Sequence, residues 1–204
     1  MAWSKGNEFI DIFLYSPIEG YNQNFKENFE QYTIDGLKLT TLSVRPLVLS
    51  VDDFLTNREC DLIKNLSEPH MFASQTSKMD HDEDKADTEW RTSTQYWLSP
   101  SMDPTIALID KKVAFLTRSS MVQQEHVQVL RYLIAQKYDT HHDYFDPKFY
   151  QNDREFYNSL NGGETNRLIT VFWYLSTVEK GGHTIFPKAN GNKYPVILCI
   201  ILFL

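Results

Sequence analysis

His141 and Asp143, two residues apart, are the pair whose residue types and spacing read as metal chemistry. Imidazole and carboxylate are the ligand types of the facial sites that hold Fe(II) and leave positions open for a cosubstrate and O₂. On an extended strand, residues two apart share a face, so both would aim inward and His142 outward. Alone, H-x-D also describes an ordinary surface His–Asp pair, which is the commoner occurrence. A second segment follows, Gly181-Gly182-His183-Thr184-Ile185-Phe186-Pro187. It reads as a turn and then a strand lying across a barrel from the first, with Thr184 and Phe186 on one face. His183 is a neighbour of Thr184 and so points to the other face. It is the one His after Asp143, and the sequence therefore offers two legs of a three-legged site.

Elements must carry those residues. Pro46 opens a strand over 47–51, where its missing N–H does least harm. Thr56 or Asn57 caps a following helix, Glu59 reaches back, and Leu62, Ile63 and Leu66 form its stripe up to Glu68-Pro69. A second helix spans 103–118, with Ile106, Ile109, Val113 and Leu116 on one face. Strands are predicted at 126–134, 137–143, 167–176, 183–186 and 194–204. Tyr132 lies nine residues before His141, an odd spacing, so it belongs to a separate strand. Helices first and short strands after suggest an α+β fold with a β-barrel or jelly-roll half.

The 204 residues carry a formal charge of -7, with 42% hydrophobic and 14% aromatic residues. That supports one sizeable core and argues against a nucleic-acid partner. Cys60 and Cys199 make no metal spacing, and a single bridge between them stays open. Asp11 interrupts the only apolar stretch near the start, and no cleavage site follows, so no signal peptide or anchor is read. No stretch reaches the length of a membrane span. The loop 78–90 holds Asp80, Asp82, Glu83, Asp84 and Asp87. It lacks the glycine and glutamate spacing of a calcium loop and is expected to be solvated. The tail 196–204 is wholly apolar, the length of a buried strand and aggregation-prone if exposed. The domains read are 1–45 as an extension, 46–195 as the chemical domain and 196–204 as an atypical tail.

Gln128-Val129-Leu130-Arg131-Tyr132, followed by Gln136-Lys137-Tyr138-Asp139-Thr140-His141-His142-Asp143-Tyr144-Phe145-Asp146, resembles the prolyl 4-hydroxylase family. Asp53-Phe54-Leu55, Glu59-Cys60, Glu68-Pro69-His70-Met71 and Arg91-Thr92-Ser93 match it upstream. Tyr174-Leu175-Ser176, Val178-Glu179 and the Gly181-Gly182-x-Thr184-x-Phe186-Pro187 run match it downstream, over roughly 44–192 in all. The closest form is the short plant and algal type. The resemblance implies an Fe(II)- and 2-oxoglutarate-dependent dioxygenase on a double-stranded β-helix (jelly-roll) core with N-terminal supporting helices, lacking the last barrel strands. It implies that His141 and Asp143 bind iron and that Tyr132 and Thr184 hold 2-oxoglutarate. Arg91, Thr92 and Ser93 would lie in a loop closing over a proline-containing peptide, and Arg167 and Tyr174 would line or buttress the site. The implied reaction decarboxylates 2-oxoglutarate to succinate and CO₂ and hydroxylates C4 of a peptidyl proline, with L-ascorbate rescuing oxidised iron.

The resemblance also implies a second iron-binding His and then a Lys for 2-oxoglutarate. His183, Lys188 and Lys193 do not stand at those places, and 196–204 departs from the pattern. A C-terminally truncated form with little turnover is therefore expected. The alternative is a form without catalysis, either a binding module for proline-rich peptides or a subunit, or an unstable fragment. Residence in the endoplasmic reticulum or secretory pathway is what the family implies.

Overall fold

The helix predicted after Leu55 forms as Asn57–Ser67 (α1), and its capping box fixes its start. The Thr56 hydroxyl accepts the Glu59 amide at 3.2 Å, and the Glu59 carboxylate accepts the Thr56 amide at 2.7 Å. Lys112 adds its ammonium to Glu59 at 3.3 Å from the second long helix. Burial raises the Glu59 carboxyl, but the Thr56 bonds and the Lys112 charge outweigh it and leave it below the usual carboxylate range. A depressed folded value means that this stability is present above the unfolded pKa and is lost as pH falls through the folded one. Thr56→Ala should cost about 1 kcal/mol in urea unfolding at neutral pH. Glu59→Gln should flatten the loss of stability on acidification below the ordinary carboxylate range. An unchanged urea midpoint and acid profile would refute the capping argument.

A computed structural model of the chain describes residues 2–3, 31–34, 36–44, 46–82, 84–161, 164–178, 180–186, 192–194 and 199–203. For 2–3, 31–34, 192–194 and 199–203 the backbone alone is described. The other helices are Asp87–Trp90 (α2), Pro104–Thr117 (α3) and Arg154–Ser159 (α4). In chain order the strands are β1 Ala2–Trp3, β2 Gln31–Ile34, β3 Leu37–Val44, β4 Leu47–Val51, β5 Phe72–Ala73, β6 Thr94–Leu98, β7 Val127–Arg131, β8 Arg167–Trp173, β9 Thr184–Phe186, β10 Asn192–Tyr194 and β11 Cys199–Phe203. They form a six-stranded sheet in the order β1-β8-β11-β4-β3-β2, a three-stranded sheet β5-β6-β7 and a β9-β10 ribbon. All the pairings are antiparallel, so with the helices the class is α+β.

Residues 199–203 of the apolar tail do not form an edge. β11 pairs with β8 on one side, Ile201 opposite Val171, and with β4 on the other, Ile201 opposite Leu49. An unbroken apolar run suits a strand flanked on both sides better than an alternating edge strand. Sheet pairing also begins upstream of the predicted Pro46 start, since β3 pairs with β4 and β2 with β3.

Leu39, Leu49, Val51 and Ile169 pack from the large sheet against Cys60 and Ile63 of α1 and Ile106, Ile109, Val113 and Leu116 of α3. Each fully buried Leu or Ile contributes roughly 1.5–3 kcal/mol. Asp103 caps α3 through the Thr105 amide at 2.7 Å, and Pro104 stands at its first turn. Val48, Phe172 and Tyr174 join Phe186 of β9 in a separate cluster. Cys60 is a buried free thiol, so the bridge to Cys199 that the sequence left open does not form. No helix of the described residues is long and apolar enough to cross a membrane.

Candidate active site

The predicted strand over 137–143 is not a strand. Only Tyr138 is bridged, to Arg91, and the rest is loop. Local bonds explain the difference. The Thr92 amide donates to the Lys137 carbonyl at 2.9 Å, and the Lys137 amide donates to the Thr92 hydroxyl at 2.8 Å. A side chain thus takes a ladder position. The Asp139 amide then turns to the Trp90 carbonyl at 2.8 Å, and His141 Nδ1 lies 2.8 Å from the Asp139 carbonyl. Side-chain bonds to nearby backbone compete with sheet ladders in this way.

The curled loop still brings the two side chains together, with His141 Nε2 3.1 Å from Asp143 Oδ1. A carbonyl can only accept, so Nδ1–H donates to Asp139. Nε2 then faces the carboxylate, where a proton or a cation bridges the two. Imidazole with its far nitrogen held by a carbonyl is also the usual arrangement of a metal-binding His. The Asp143 side chain is 13% exposed, and Thr170 Oγ1 donates to its Oδ2 at 2.6 Å. Burial pushes Asp143 up, but the His141 and Thr170 bonds and the His141 and Arg167 charges outweigh it and hold it low. It is ready as an anionic ligand. Among the described residues no group of three His, Cys, Asp or Glu is placed to hold a metal. His183, exposed in the turn before β9, is in no such group.

Around this pair lies a stack. The Tyr138 and His141 rings lie 3.8 Å apart at 17°, and the Arg91 guanidinium stands 4.3 Å from the Tyr138 ring. Arg91 and Ser93 are buried rather than displayed on an open loop. Arg91 Nε donates to Ser93 Oγ at 3.1 Å, and Ser93 shares a hydrogen bond of 2.8 Å with Ser74. Thr92 between them is half-buried and holds the Lys137 backbone. Burial raises the Tyr138 hydroxyl, with Arg91 opposing.

Downstream, the loop is anchored in its own small core of Phe145, Tyr150 and Leu160 with Met79 and Phe156. Arg167 stands over the Phe145 ring at 4.6 Å and forks onto Glu125 at 2.9 and 3.1 Å. Asn166 binds both backbone groups of Phe145, at 3.0 and 2.6 Å. The loop 78–90, expected to be solvated, is tied in as well. Both Asp80 oxygens accept amides, from Gln151 at 2.9 Å and Asn152 at 3.0 Å.

Tyr174 and Thr184 share a short hydroxyl–hydroxyl hydrogen bond. Burial raises the Tyr174 hydroxyl and the Thr184 bond opposes it. Tyr132 follows β7 and is 44% exposed. Thr170, Asn166, Tyr138 and Glu125 escaped the sequence reading. A lone Thr inside an apolar strand was the signal for Thr170, and nothing local marked the others.

The turn joining Tyr132 to this loop holds Ala135 at φ 68. An L-residue there is strained by roughly 1–2 kcal/mol, and glycine is not. Ala135→Gly should therefore stabilise the chain by about 0.5–1 kcal/mol after its entropic cost, read as a higher urea midpoint. A lower midpoint would contradict the strain.

No protein-family model matches the chain. It is 39% identical over 152 residues to "Probable prolyl 4-hydroxylase 10" of Arabidopsis thaliana, covering 74% of this chain and 48% of that protein. It is 36% identical over 151 residues to "Prolyl 4-hydroxylase 5", covering 74% and 48%, and 35% identical over 157 residues to "Prolyl 4-hydroxylase 2", covering 77% and 49%, both of the same plant. The chain spans about half the length of these curated relatives. Over three quarters of its own length the chain is thus similar to plant-type prolyl 4-hydroxylases.

Proposed function

We propose that this chain carries the greater part of an Fe(II)- and 2-oxoglutarate-dependent dioxygenase site that hydroxylates peptidyl proline to 4-hydroxyproline. The single observation carrying the reading is the approach of His141 Nε2 to Asp143 Oδ1, 3.1 Å apart, with Nδ1 engaged and Asp143 held ionised. Nitrogen and carboxylate donors of this kind suit Fe(II). His141 and Asp143 would hold the metal. When bound, it supplies the oxidative chemistry that turns 2-oxoglutarate into succinate and CO₂ and places a hydroxyl on proline. The protein's own task is to orient and to exclude water.

The Tyr174–Thr184 pair and Tyr132 offer hydroxyl donors for a 2-oxoglutarate carboxylate. Arg91, Thr92 and Ser93 form the wall behind Tyr138, and the peptide would be bound beyond that wall. L-ascorbate would serve to re-reduce the iron. We read the large sheet and the β9-β10 ribbon as two walls of a double-stranded β-helix, within a domain of residues 46–195, and we propose the secretory pathway as the protein's location.

Anaerobic calorimetry tests the reading. Saturable Fe(II) binding is expected, followed by 2-oxoglutarate binding that depends on the metal. With O₂, ascorbate and a proline-rich peptide, the peptide should gain one oxygen atom for each succinate formed. Absence of Fe(II) binding overturns the proposal.

A further inference from the structure

We infer that Asn166 and Thr170 are positioning residues that set Asp143 to face His141 before any ligand arrives. The inference rests on reading His141 and Asp143 as iron ligands. Among the described residues, backbone pairing holds this loop only around the Arg91–Tyr138 bridge, so something else must fix it at Asp143.

Two polar side chains flanking the start of β8 do so. Asn166 is 6% exposed, and its amide imitates a neighbouring strand. Its Oδ1 accepts the Phe145 amide at 3.0 Å, and its Nδ2 donates to the Phe145 carbonyl at 2.6 Å. The same Oδ1 accepts the Arg167 amide at 2.9 Å, which fixes the side chain to its own strand. Three bonds on one buried group thereby pin the main chain two residues past Asp143.

Thr170 lies four residues on, which on a strand is the same face. It is 4% exposed and donates to Asp143 Oδ2 at 2.6 Å. With that oxygen occupied, Oδ1 is the one that meets His141 Nε2 at 3.1 Å. Asn166 sets where the backbone is, and Thr170 sets how the carboxylate is turned. Together they remove the freedoms that would let Asp143 rotate away from a shared ligand.

The test compares Thr170→Val, which keeps shape and loses the hydroxyl, with Thr170→Ser, which keeps the hydroxyl. Asn166→Ala is made alongside. In anaerobic titration with Fe(II) alone, the Val and Ala variants should bind about 10–100-fold more weakly, as for other outer-shell losses. Ser should recover most of the affinity, which a merely structural role for Thr170 would not produce. In metal-free protein the Phe145 amide should exchange faster in Asn166→Ala, and a crystal structure of Thr170→Val should show the Asp143 carboxylate turned from His141.

Parent-like Fe(II) affinity in Thr170→Val and Asn166→Ala overturns the inference. So does an unmoved Asp143 in metal-free Thr170→Val. A parent chain that binds no Fe(II) overturns the iron reading instead, and the metal-free structure and exchange then decide the positioning role alone. If Asn166→Ala does not fold, the Val and Ser pair carries the test.

Discussion

His141→Ala should abolish measurable Fe(II) binding, a loss larger than the roughly 10–100-fold that removal of an outer residue produces. The imidazole supplies a nitrogen donor 3.1 Å from Asp143, and its Nδ1 is already bound to the Asp139 carbonyl at 2.8 Å. Its orientation therefore costs little when a ligand arrives. Alanine also removes the flat partner of Tyr138, whose ring lies 3.8 Å from the imidazole. Asp143 then keeps the Thr170 bond but loses the His141 bond and charge, two of the causes that hold it low. Its pKa rises, so the carboxylate is protonated at a higher pH than in the parent. Asp143→Asn separates shape from charge. Its amide oxygen can still accept from Thr170, but the anion is gone. It too should lose Fe(II) binding, with folding intact. His142→Ala, beside the pair, should leave Fe(II) affinity close to that of the parent. Equal affinities for the parent and His141→Ala in anaerobic calorimetry would remove the site from this loop altogether.

How much of this was legible in the sequence depends on how local each cause is. The capping box of α1 involves Thr56 and Glu59, three residues apart, and was readable. So was the buried stripe Ile106, Ile109, Val113 and Leu116, which follows from helical spacing alone. The loop at His141 was not. Its shape depends on Thr92, which meets Lys137 from 45 residues away and converts a strand-like run into a curl. Alternation predicted that His141 and Asp143 share a face, whereas the curl and the Asp139 carbonyl are what bring them together. Asn166 was invisible for the same reason. It reads as a polar residue before a strand, and only the tertiary structure places its amide against Phe145. The central position of β11 could not be read either. An apolar run announces burial, while its neighbours β4 and β8 are chosen by the sheet.

Arg167→Ala should destabilise the fold by about 2–4 kcal/mol, somewhat less than the roughly 3–5 kcal/mol for breaking a fully buried ion pair, because some water reaches this one. The side chains of Arg167 and Glu125 are 18% and 16% exposed. Their contact is a two-pronged fork at 2.9 and 3.1 Å, and the guanidinium also covers the Phe145 ring at 4.6 Å. Removing Arg167 strands the Glu125 carboxylate in a largely dry place and uncovers an aromatic ring of the small core. Lysine should not rescue the variant, since an ammonium cannot make the fork or lie flat on the ring. Replacing both partners with apolar residues, Arg167→Met with Glu125→Leu, should recover part of the loss, because neither charge is then left unpaired. The coupling from the double-mutant cycle is read in urea unfolding at neutral pH. Simple additivity of the two single losses would show that the pair contributes nothing as a pair. Because Phe145 stands two residues from Asp143, the same variant should also weaken Fe(II) binding. A variant that loses stability but keeps its iron affinity would place Arg167 in the support of the fold alone.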